Sequence, residues 1–445
     1  MASEAAFIGR ERELAVLREL AESGRPELFV LYGRRRVGKT ELLQQLCQGR
    51  RAAYFLAAQV RDKDNLRAFR NVLEEALGDP LIGSIEFPDW SAALMYAAER
   101  AGSERLVVVL DEFPYLCESN PGLPSLIQRF WDLRGKRSTL MLVLCGSQVS
   151  FMEREVLAER SPLFGRRTGQ RRLEPLSVSE SLGFFPGWSR EDALLAFGIL
   201  GGMPAYLGRF DVAGSISDNL LREVLRPEGY LFDEVHYLLH TELTNPSTYN
   251  SILAAVARGA ERVGDVALNV GVDSPTANKY LHVLRELRLV RRDVPLTDPD
   301  PLRSRRGVYR IADRFVAFHF RHVQPHISLI EAGRGARVLE DFIRPDLARL
   351  LDEARGELLL ERLRHEASEL VGEELADWTR HPGKAVQALA RTVSGRGVAV
   401  VAADAKAAEA EEEVKELKPA LGANLLRLVA HRGTDGALRL ARPRA

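Results

Sequence analysis

Residues 33–40 have the sequence GRRRVGKT, and no other feature of the chain constrains its fold as strongly. An apolar segment at 28–32 precedes them, and a segment typical of a helix begins at Thr40. The glycines of such a loop let backbone N–H groups surround a phosphate, and the N-terminus of the following helix adds a partial positive charge. The succession of strand, glycine-rich loop and helix therefore predicts a phosphate-binding loop in an α/β fold.

This loop has the Walker A pattern, which predicts ATP and Mg²⁺ as ligands. Lys39 is expected to reach the β- and γ-phosphates, and the hydroxyl of Thr40 is expected to ligate Mg²⁺. The other nucleotide contacts predicted for the loop are Gly33, Arg34, Arg35, Arg36, Val37, Gly38 and Glu41. The alternative is a chance glycine–lysine loop, against which the strand before it and the helix after it argue. No pattern in the sequence distinguishes ATP from GTP.

A second acidic ligand for Mg²⁺ is predicted where the segment LVVVLDEF (106–113) ends its apolar run. Asp111 would belong to the Mg²⁺ shell, as in a Walker B strand. Glu112 would orient or deprotonate the attacking water, because phosphoryl transfer depends mainly on positioning and electrostatics. The alternative is an ordinary strand that ends in a solvated turn.

Two further polar segments are candidates for the same site. The apolar run at 139–147 ends at Ser147, followed by Gln148, where a polar side chain can contact the γ-phosphate or the water; a helix cap is the alternative. Arg166 and Arg167 are candidates for an arginine finger, from the same chain or a neighbour, that neutralises charge in the transition state. A basic surface loop is the alternative for the two arginines.

Four short apolar runs predict the strands of the sheet, at 28–33, 52–58, 106–112 and 139–147. Apolar strands separated by helical segments indicate a parallel sheet covered on both faces, so the predicted fold class is α/β. The 62 basic and 62 acidic residues give a formal net charge of zero, so global charge provides no argument for nucleic acid or membrane binding.

Other sequence features concern the compartment. The 3 cysteines show no CxxC spacing, which favours reduced thiols over disulfides. The N-terminal residues lack the apolar core of a signal peptide, and no apolar run approaches the ~20 residues of a membrane helix. We therefore expect a cytoplasmic protein that does not bind a membrane.

A set of segments in fixed order carries a family resemblance: FIGRERE, LYGRRRVGKTELL, LDEFPYL, LCGSQVSFME, SPLFGRRT and GGMPAYL. Together they resemble the archaeal-type P-loop ATPases, members of the AAA/STAND-like ATPases, over about residues 7–330. The resemblance implies a further strand between the two Walker strands, and a helical lid. It also implies that Pro204 in GGMP contacts the nucleotide and that Arg10 in FIGRERE lies beside the adenine.

The chain is expected to comprise four domains. A P-loop ATPase core would occupy 1–170, a helical lid 171–240, a winged helix 241–330, and a nuclease-like α/β domain 335–445. The lid is predicted from helical segments that PGW, GGMP and RPEG interrupt.

The predicted winged helix consists of three helices at 247–259, 262–269 and 274–287 and two strands, LRLVRRDVP and GVYRIAD. In such modules the third helix can enter the major groove of duplex DNA while arginines of the wing contact phosphates. The candidate DNA contacts are Lys279, Arg303, Arg305 and Arg306. Docking of a protein, or packing within the chain, is the alternative. His319, His322 and His326 follow, but their spacing does not indicate a metal site.

The last segment resembles the PD-(D/E)XK nuclease fold, as in family members with this layout. Asp404 and Lys406 fit the second half of that motif, after an apolar strand at 397–402. The preceding strand has Gln387 and Ala388 where an acidic ligand is needed, so too few oxygen ligands remain for a metal. A fold that has lost nuclease activity is predicted, and the alternative is an interaction domain in which Asp404 and Lys406 form an ion pair.

These observations predict an ATP-binding and ATP-hydrolysing switch whose nucleotide state controls the binding of DNA or a protein through the winged helix. The predicted partners also include a second copy of the chain, and in such a homo-oligomer a neighbour could supply the arginine finger. One alternative is a DNA-binding module with negligible ATP turnover. Another is a metal-dependent nuclease gated by ATP.

Overall fold

The computed structural model describes residues 7–443, except for 244, 297, 299, 301–302, 305, 382, 422–424, 433–437 and the side chain of 432. The chain divides into two compact units. The first unit runs to Leu176 and also includes Met203–Ala205. The second comprises Ser177–Gly202 and the chain from Tyr206 onwards.

The centre of the first unit is a five-stranded parallel sheet with the strand order β2-β3-β4-β1-β5. Its strands are β1 (Glu27–Tyr32), β2 (Ala52–Leu56), β3 (Leu106–Asp111), β4 (Leu140–Gly146) and β5 (Gly169–Arg172). β1, β3 and β4 are buried along their whole length, as expected for strands covered on both faces. The four predicted strands are confirmed. β4 lies between β1 and β3, which confirms the further strand between the two Walker strands.

The strand β5 is not among the strands that the sequence predicts. Its sequence GQRR is short and polar, and it pairs with β1 at the edge of the sheet. The predicted boundary at residue 170 falls inside β5, and the first unit continues to Leu176. The position of this strand is not predictable because an edge strand needs no apolar run, and the predicted domain bounds stay predictions.

Helices cover both faces of this sheet. One face packs on an aromatic cluster in which the rings of Phe55 and Phe69 lie 5.6 Å apart and those of Phe69 and Trp90 lie 5.2 Å apart. Such ring pairs add to the stabilisation from burial alone. The helices of the unit are α1 (Glu11–Glu22), α2 (Lys39–Cys47), α3 (Asp62–Leu77), α4 (Trp90–Ala101), α5 (Phe113–Ser119), α6 (Leu123–Leu133) and α7 (Val149–Phe151).

The second unit begins with helices, as predicted for the segment after the core. They are α8 (Val178–Leu182), α9 (Arg190–Leu200), α10 (Pro204–Leu207, which starts in the first unit), α11 (Ile216–Glu223) and α12 (Glu234–Glu242). α9 packs closely on a long helix of the same unit that covers residues 347–371. At Gly198 an added Cβ would lie 2.7 Å from the carbonyl oxygen of Leu350, so only glycine permits this approach.

The three predicted helices of the winged helix are confirmed as α13 (Pro246–Ala257), α14 (Val263–Val270) and α15 (Ser274–Glu286). Two antiparallel strands, β6 (Val290–Asp293) and β7 (Val308–Ile311), follow them. The apolar stripe of α15 is buried at Ala277, Leu281 and Leu284, and Leu287, just after the helix, is buried as well.

The chain then continues through α16 (Arg314–Phe318), α17 (Ile327–Glu331), α18 (Gly335–Val338) and the long helix α19 (Leu347–Val371). A second sheet follows, with the order β12-β11-β10-β9-β8. Its strands are β8 (Leu375–Arg380), β9 (Val386–Thr392), β10 (Gly397–Ala402), β11 (Leu426–Arg432) and β12 (Leu438–Ala441). Neighbouring strands are antiparallel except for β10 and β11, which run parallel and are joined through α20 (Ala407–Leu421). In the described part of the chain, no helix is long and apolar enough to span a membrane.

Candidate nucleotide-binding site

The loop between β1 and α2 has a backbone that its glycines make possible. Gly38 has a φ of 92°, in the region that favours glycine. At Gly33 an added Cβ would lie 2.5 Å from the carbonyl oxygen of Leu173, so the loop passes too close to the chain after β5 for any side chain. The completely buried side chain of Val37 anchors the loop from below.

Lys39, the first residue of α2, folds back over this loop. Its ammonium group donates hydrogen bonds to the carbonyl oxygens of Gly33 (2.9 Å) and Arg34 (3.0 Å). The side chain is buried, so its positive charge lies inside the curve of the loop. This is the place from which a lysine can meet the phosphates of a nucleotide.

The other polar residues of the loop are placed differently. Arg34 is buried, and Arg35 donates a 3.0 Å hydrogen bond to the hydroxyl of Tyr115. Arg36 is half-buried and has a left-handed backbone with a φ of 67°. Glu41 is exposed on the first turn of α2. Nucleotide contacts by these four side chains stay predictions.

Asp111, at the carboxyl end of β3, is the point at which several donors meet. Its Oδ2 accepts hydrogen bonds from the hydroxyl of Thr40 (3.0 Å) and from that of Tyr54. Its Oδ1 accepts a 2.9 Å hydrogen bond from the backbone N–H of Glu112. Only 1% of Asp111 is exposed, so these groups replace water around a buried carboxylate.

Sequence reasoning did not identify two of the neighbours of Asp111. Burial, followed by the charge of Asp111, raises the pKa of Tyr54 well above its ordinary value. Burial also raises the pKa of the Cys145 thiol, again with a contribution from Asp111. Both side chains therefore stay neutral at ordinary pH, and Tyr54 acts as a hydrogen-bond donor.

Glu112 follows Asp111 with a left-handed backbone, at a φ of 53°. Its Oε2 accepts a 2.7 Å hydrogen bond from the hydroxyl of Ser147, which lies just after β4 and is buried. The structure thus brings Ser147 to the predicted catalytic carboxylate. The next residue, Gln148, instead donates a 3.2 Å hydrogen bond to Glu118.

The two candidate finger arginines are held by groups of their own unit. Arg166 forms an ion pair with Asp132 at 2.8 Å and donates a 3.0 Å hydrogen bond to the carbonyl oxygen of Pro162. The hydrogen bonds from Arg166 and Lys136 lower the pKa of Asp132. Arg167 donates a 3.0 Å hydrogen bond to the carbonyl oxygen of Leu157. A finger role for either arginine stays a prediction.

Two residues implied by the family resemblance lie against the loop. The guanidinium of Arg10 is buried and donates to the carbonyl oxygens of Val37 (3.1 Å) and Glu174, so it supports the loop backbone. The ring of Pro204 lies 3.6 Å from the position that a Cβ on Gly38 would take. Pro204 therefore lies beside the loop, while a contact of Arg10 with the base stays a prediction.

The donors present fit Mg²⁺. The hydroxyl of Thr40 and the carboxylate of Asp111 are hard oxygen ligands 3.0 Å apart, and Mg²⁺ characteristically uses one or two such groups together with phosphate oxygens and waters. Among the residues that the structure describes, no group of three or more His, Cys, Asp or Glu side chains could hold a metal ion. A metal here would thus depend on the nucleotide for further ligands.

The predicted DNA contacts lie on or near the winged helix. Lys279 is exposed on α15, and Arg303 and Arg306 are exposed between β6 and β7. Arg305 lies outside the described residues. A shallow pocket of about 450 Å³ between α15 and β6, which sequence reasoning did not identify, is lined by four arginines, His282 and one acidic residue, Glu286. The four arginines are Arg285, Arg288, Arg291 and Arg292.

The histidines after β7 have protein partners or lie in the core. His322 Nε2 lies 2.8 Å from Asp346 Oδ2, and His326 Nδ1 lies 2.8 Å from the carbonyl oxygen of His322. Burial, with a smaller effect of His236, lowers the pKa of His319 from 6.5 to about 4. These residues are thus accounted for by packing and hydrogen bonds.

In the second sheet, Asp404 is exposed in the turn after β10, and Lys406 pairs with Glu409 at 3.8 Å. The structure thus pairs Lys406 with a carboxylate in the first turn of α20, and the alternative of an ion pair between Asp404 and Lys406 stays a prediction. Gln387 lies on β9. The likeness of this domain to a nuclease stays a prediction.

Comparisons with known proteins agree with this geometry. Residues 7–210 match a family described as an ATPase domain predominantly from Archaea, and residues 251–294 match the IclR helix-turn-helix domain. An uncharacterized protein of Methanocaldococcus jannaschii is 34% identical over 327 residues, which are 74% of this chain and 71% of the relative. The Walker-type ATPase structure from Pyrococcus abyssi has a TM-score of 0.54 and 21% identity, covering 71% of this chain and 96% of that chain, and shows a shared fold.

Proposed function

This chain belongs to the family of ATPases found predominantly in Archaea, and we propose that it is an ATP-hydrolysing switch that controls binding through its winged helix. The proposal depends on one observation: the predicted site residues lie together at the carboxyl edge of β1, β3 and β4. Lys39 bonds to the loop after β1, Thr40 donates to Asp111, and Ser147 donates to Glu112. Ligands of parallel α/β sheets bind at this edge.

Each residue has a role that its position supports. Lys39 neutralises charge on the β- and γ-phosphates, and the loop backbone orients them. Thr40 and Asp111 would hold Mg²⁺, which when bound withdraws negative charge from the phosphate oxygens. Glu112 orients the attacking water and accepts its proton, while Ser147 fixes the direction of the Glu112 carboxylate.

The winged helix is the output of this switch in our proposal, with duplex DNA as the ligand. Lys279, Arg303 and Arg306 are exposed, and Arg285 and Arg288 extend the basic surface beside α15. Phosphate contacts of this kind make affinity depend on salt. The second sheet contributes no catalysis in this proposal, because β9 has Gln387 and Ala388 where a nuclease needs a carboxylate.

The proposal also has a cellular component. All 3 cysteines, Cys47, Cys117 and Cys145, are free thiols, which supports a reducing compartment such as the cytoplasm.

The test is steady-state ATP hydrolysis by the wild type, Lys39→Ala and Glu112→Gln, with and without duplex DNA and with and without Mg²⁺. We expect Lys39→Ala to lose ATP binding and Glu112→Gln to bind ATP without turning it over. Turnover that rises with DNA supports the switch. Turnover that DNA does not change would indicate that the winged helix binds a protein rather than DNA. Wild-type-like turnover in Glu112→Gln would reject the catalytic role of Glu112.

The DNA component has a separate test. The triple variant Lys279→Ala, Arg303→Ala, Arg306→Ala should bind duplex DNA more weakly at low salt. Its affinity should also depend less steeply on salt, by roughly one unit of slope for each phosphate interaction that the substitutions remove. The matched control is Arg337→Ala, because Arg337 is an exposed arginine that lies on α18 rather than on α15 and pairs with Asp341. Equal affinity of the triple variant and the control would reject DNA contact through this surface.

The source of the arginine finger can be tested by kinetics. Turnover per chain should rise with protein concentration if a second copy supplies Arg166 or Arg167, and it should be constant if the same chain does. Arg166→Ala and Arg167→Ala should each be assayed, because only the true finger will lower kcat by a large factor. Wild-type kcat in both variants would reject the prediction.

A further inference from the structure

The hydroxyl of Tyr54 reaches the predicted metal ligand from the neighbouring strand. β2 and β3 are parallel neighbours, and their register pairs Tyr54 with Val109 and Leu56 with Asp111. Ala53 and Phe55 are buried in the core cluster on one face of the sheet. Because side chains alternate along a strand, Tyr54 lies on the other face, from which its hydroxyl meets Asp111.

This bond completes the restraint of a buried carboxylate. One oxygen of Asp111 accepts the backbone N–H of Glu112, and the other accepts both Thr40 and Tyr54. A hydroxyl has one proton and two lone pairs, so Thr40 can donate to Asp111 and still offer a lone pair to a metal. Thr40 is thus needed as a ligand of the metal, whereas Tyr54 can hold Asp111 without binding the metal itself.

We propose that Tyr54 is a positioning residue for the nucleotide-dependent Mg²⁺ site, holding the Asp111 carboxylate in the orientation that accepts the ion together with Thr40. This inference rests on the proposed ATPase function and names a residue that the Walker patterns do not contain. Positioning of a ligand by its hydrogen-bond partners is a general property of metal sites, and loss of such a partner typically lowers metal affinity by about 10–100-fold.

The test uses Tyr54→Phe, which keeps the ring and removes only the hydroxyl. The probe is Mn²⁺, whose binding in the presence of a non-hydrolysable ATP analogue is followed by electron paramagnetic resonance. We expect the Mn²⁺ affinity to fall by about tenfold, while binding of the analogue in a metal chelator stays at the wild-type value. The apparent KM for Mg²⁺ in the ATPase assay should rise by a similar factor, with kcat at saturating Mg²⁺ nearly unchanged.

Tyr96→Phe is the matched control. The hydroxyl of Tyr96 donates a 3.1 Å hydrogen bond to Asp79 in the same unit, so this variant loses the same kind of bond away from the site. Its Mn²⁺ affinity and its turnover should equal those of the wild type. An equal loss in both variants would show a general effect on the fold and would overturn the proposal.

Asp111→Asn supplies a second, independent comparison. If Tyr54 acts through Asp111, the double variant should bind Mn²⁺ no more weakly than Asp111→Asn alone. Additive losses would overturn the proposal, as would wild-type Mn²⁺ affinity in Tyr54→Phe or unfolding of that variant. A wild type that neither binds nor hydrolyses ATP would instead reject the proposed function, so the two failures are distinguishable.

Discussion

The hydroxyl of Ser147 donates a 2.7 Å hydrogen bond to Oε2 of Glu112, which joins the end of β4 to the residue that follows β3. Glu112 has a φ of 53°, a conformation that costs a residue with a side chain about 1–3 kcal/mol. The surrounding structure keeps Glu112 in this conformation, and its carboxylate has one direction set by Ser147. Glu112, the residue that we propose activates the water, therefore has both a strained backbone and a carboxylate held by Ser147.

Removal of the Ser147 hydroxyl should lower turnover without weakening ATP binding. Ser147→Ala leaves the Glu112 carboxylate without this donor, so the carboxylate spends less time in the direction of the water. Because a general base contributes about 10²–10⁴-fold, we expect partial misorientation to lower kcat by about tenfold. Single-turnover hydrolysis and calorimetric ATP titration would measure the two quantities separately.

Gln148→Ala provides the comparison for this prediction. Gln148 is adjacent in sequence, but it donates to Glu118 rather than to Glu112, so its kcat should stay close to that of the wild type. If Ser147→Ala turned ATP over at the wild-type rate, its hydroxyl would have no part in catalysis and would serve only as a structural link between the two strand ends.

A single methyl group at Gly33 should destabilise the first unit. The Cβ of an alanine would lie 2.5 Å from the carbonyl oxygen of Leu173, and neither of these backbone segments can move away easily. We expect Gly33→Ala to lower the free energy of unfolding by about 1–3 kcal/mol, the usual cost of overpacking. Urea unfolding followed by tryptophan fluorescence would measure it.

Gly264→Ala is the control for Gly33→Ala. Gly264 lies in α14 with nothing within 4 Å of an added Cβ, so alanine should leave stability unchanged or raise it slightly. Equal stability of the two variants would contradict the close approach of the loop to Leu173.

The sequence is sufficient to predict the elements that carry strong local signals. β1, β3 and β4 are predictable because strands buried on both faces must be apolar throughout. β5 is not, because GQRR is polar and its place depends on pairing with β1, from which it is far in sequence. An edge strand of this kind has no periodic pattern that would identify it.

The site shows the same division. The sequence predicts Lys39, Thr40, Asp111 and Glu112 as site residues because motif, strand and helix lie together in the sequence. The sequence does not predict Tyr54, because its hydrogen bond to Asp111 depends on β2 and β3 being neighbours in the sheet.

The cap of α15 is a choice between two neighbouring residues. Asp273 accepts a 2.8 Å hydrogen bond from the N–H of Thr276, whereas the sequence Ser274-Pro275 favours Ser274 as the cap. Both residue types favour caps, so sequence alone does not decide between neighbours.

Stability should fall at acidic pH because of His319. Its pKa is lowered from 6.5 to about 4 by burial, so between these values the unfolded chain binds a proton that the folded chain does not. Stability is therefore complete above pH 6.5 and is lost as the pH falls towards 4, by up to about 3 kcal/mol. Urea unfolding at pH 7 and pH 5 would measure the loss, and His319→Phe should reduce it. The control is His282→Gln, on the exposed side of α15, whose stability should depend on pH as that of the wild type does. A wild-type pH dependence in His319→Phe would exclude His319 as the cause of the loss at acidic pH.

Arg314 should contribute more to the stability of the second unit than the exposed arginine Arg337. The guanidinium of Arg314 is 14% exposed, donates a 2.6 Å hydrogen bond to Glu357 and pairs with Glu353, so it neutralises two carboxylates of α19. Arg314→Met leaves both carboxylates without this partner in a half-buried place, and we expect a loss of about 2–4 kcal/mol. Arg337→Met is the matched control, because Arg337 and Asp341 form an exposed pair at 3.1 Å, which should be worth less than about 1 kcal/mol. Urea unfolding would measure the loss of stability in each variant. Equal losses would mean that solvent screens Arg314 as fully as a surface residue. The start of α16 would then not depend on α19 for its stability.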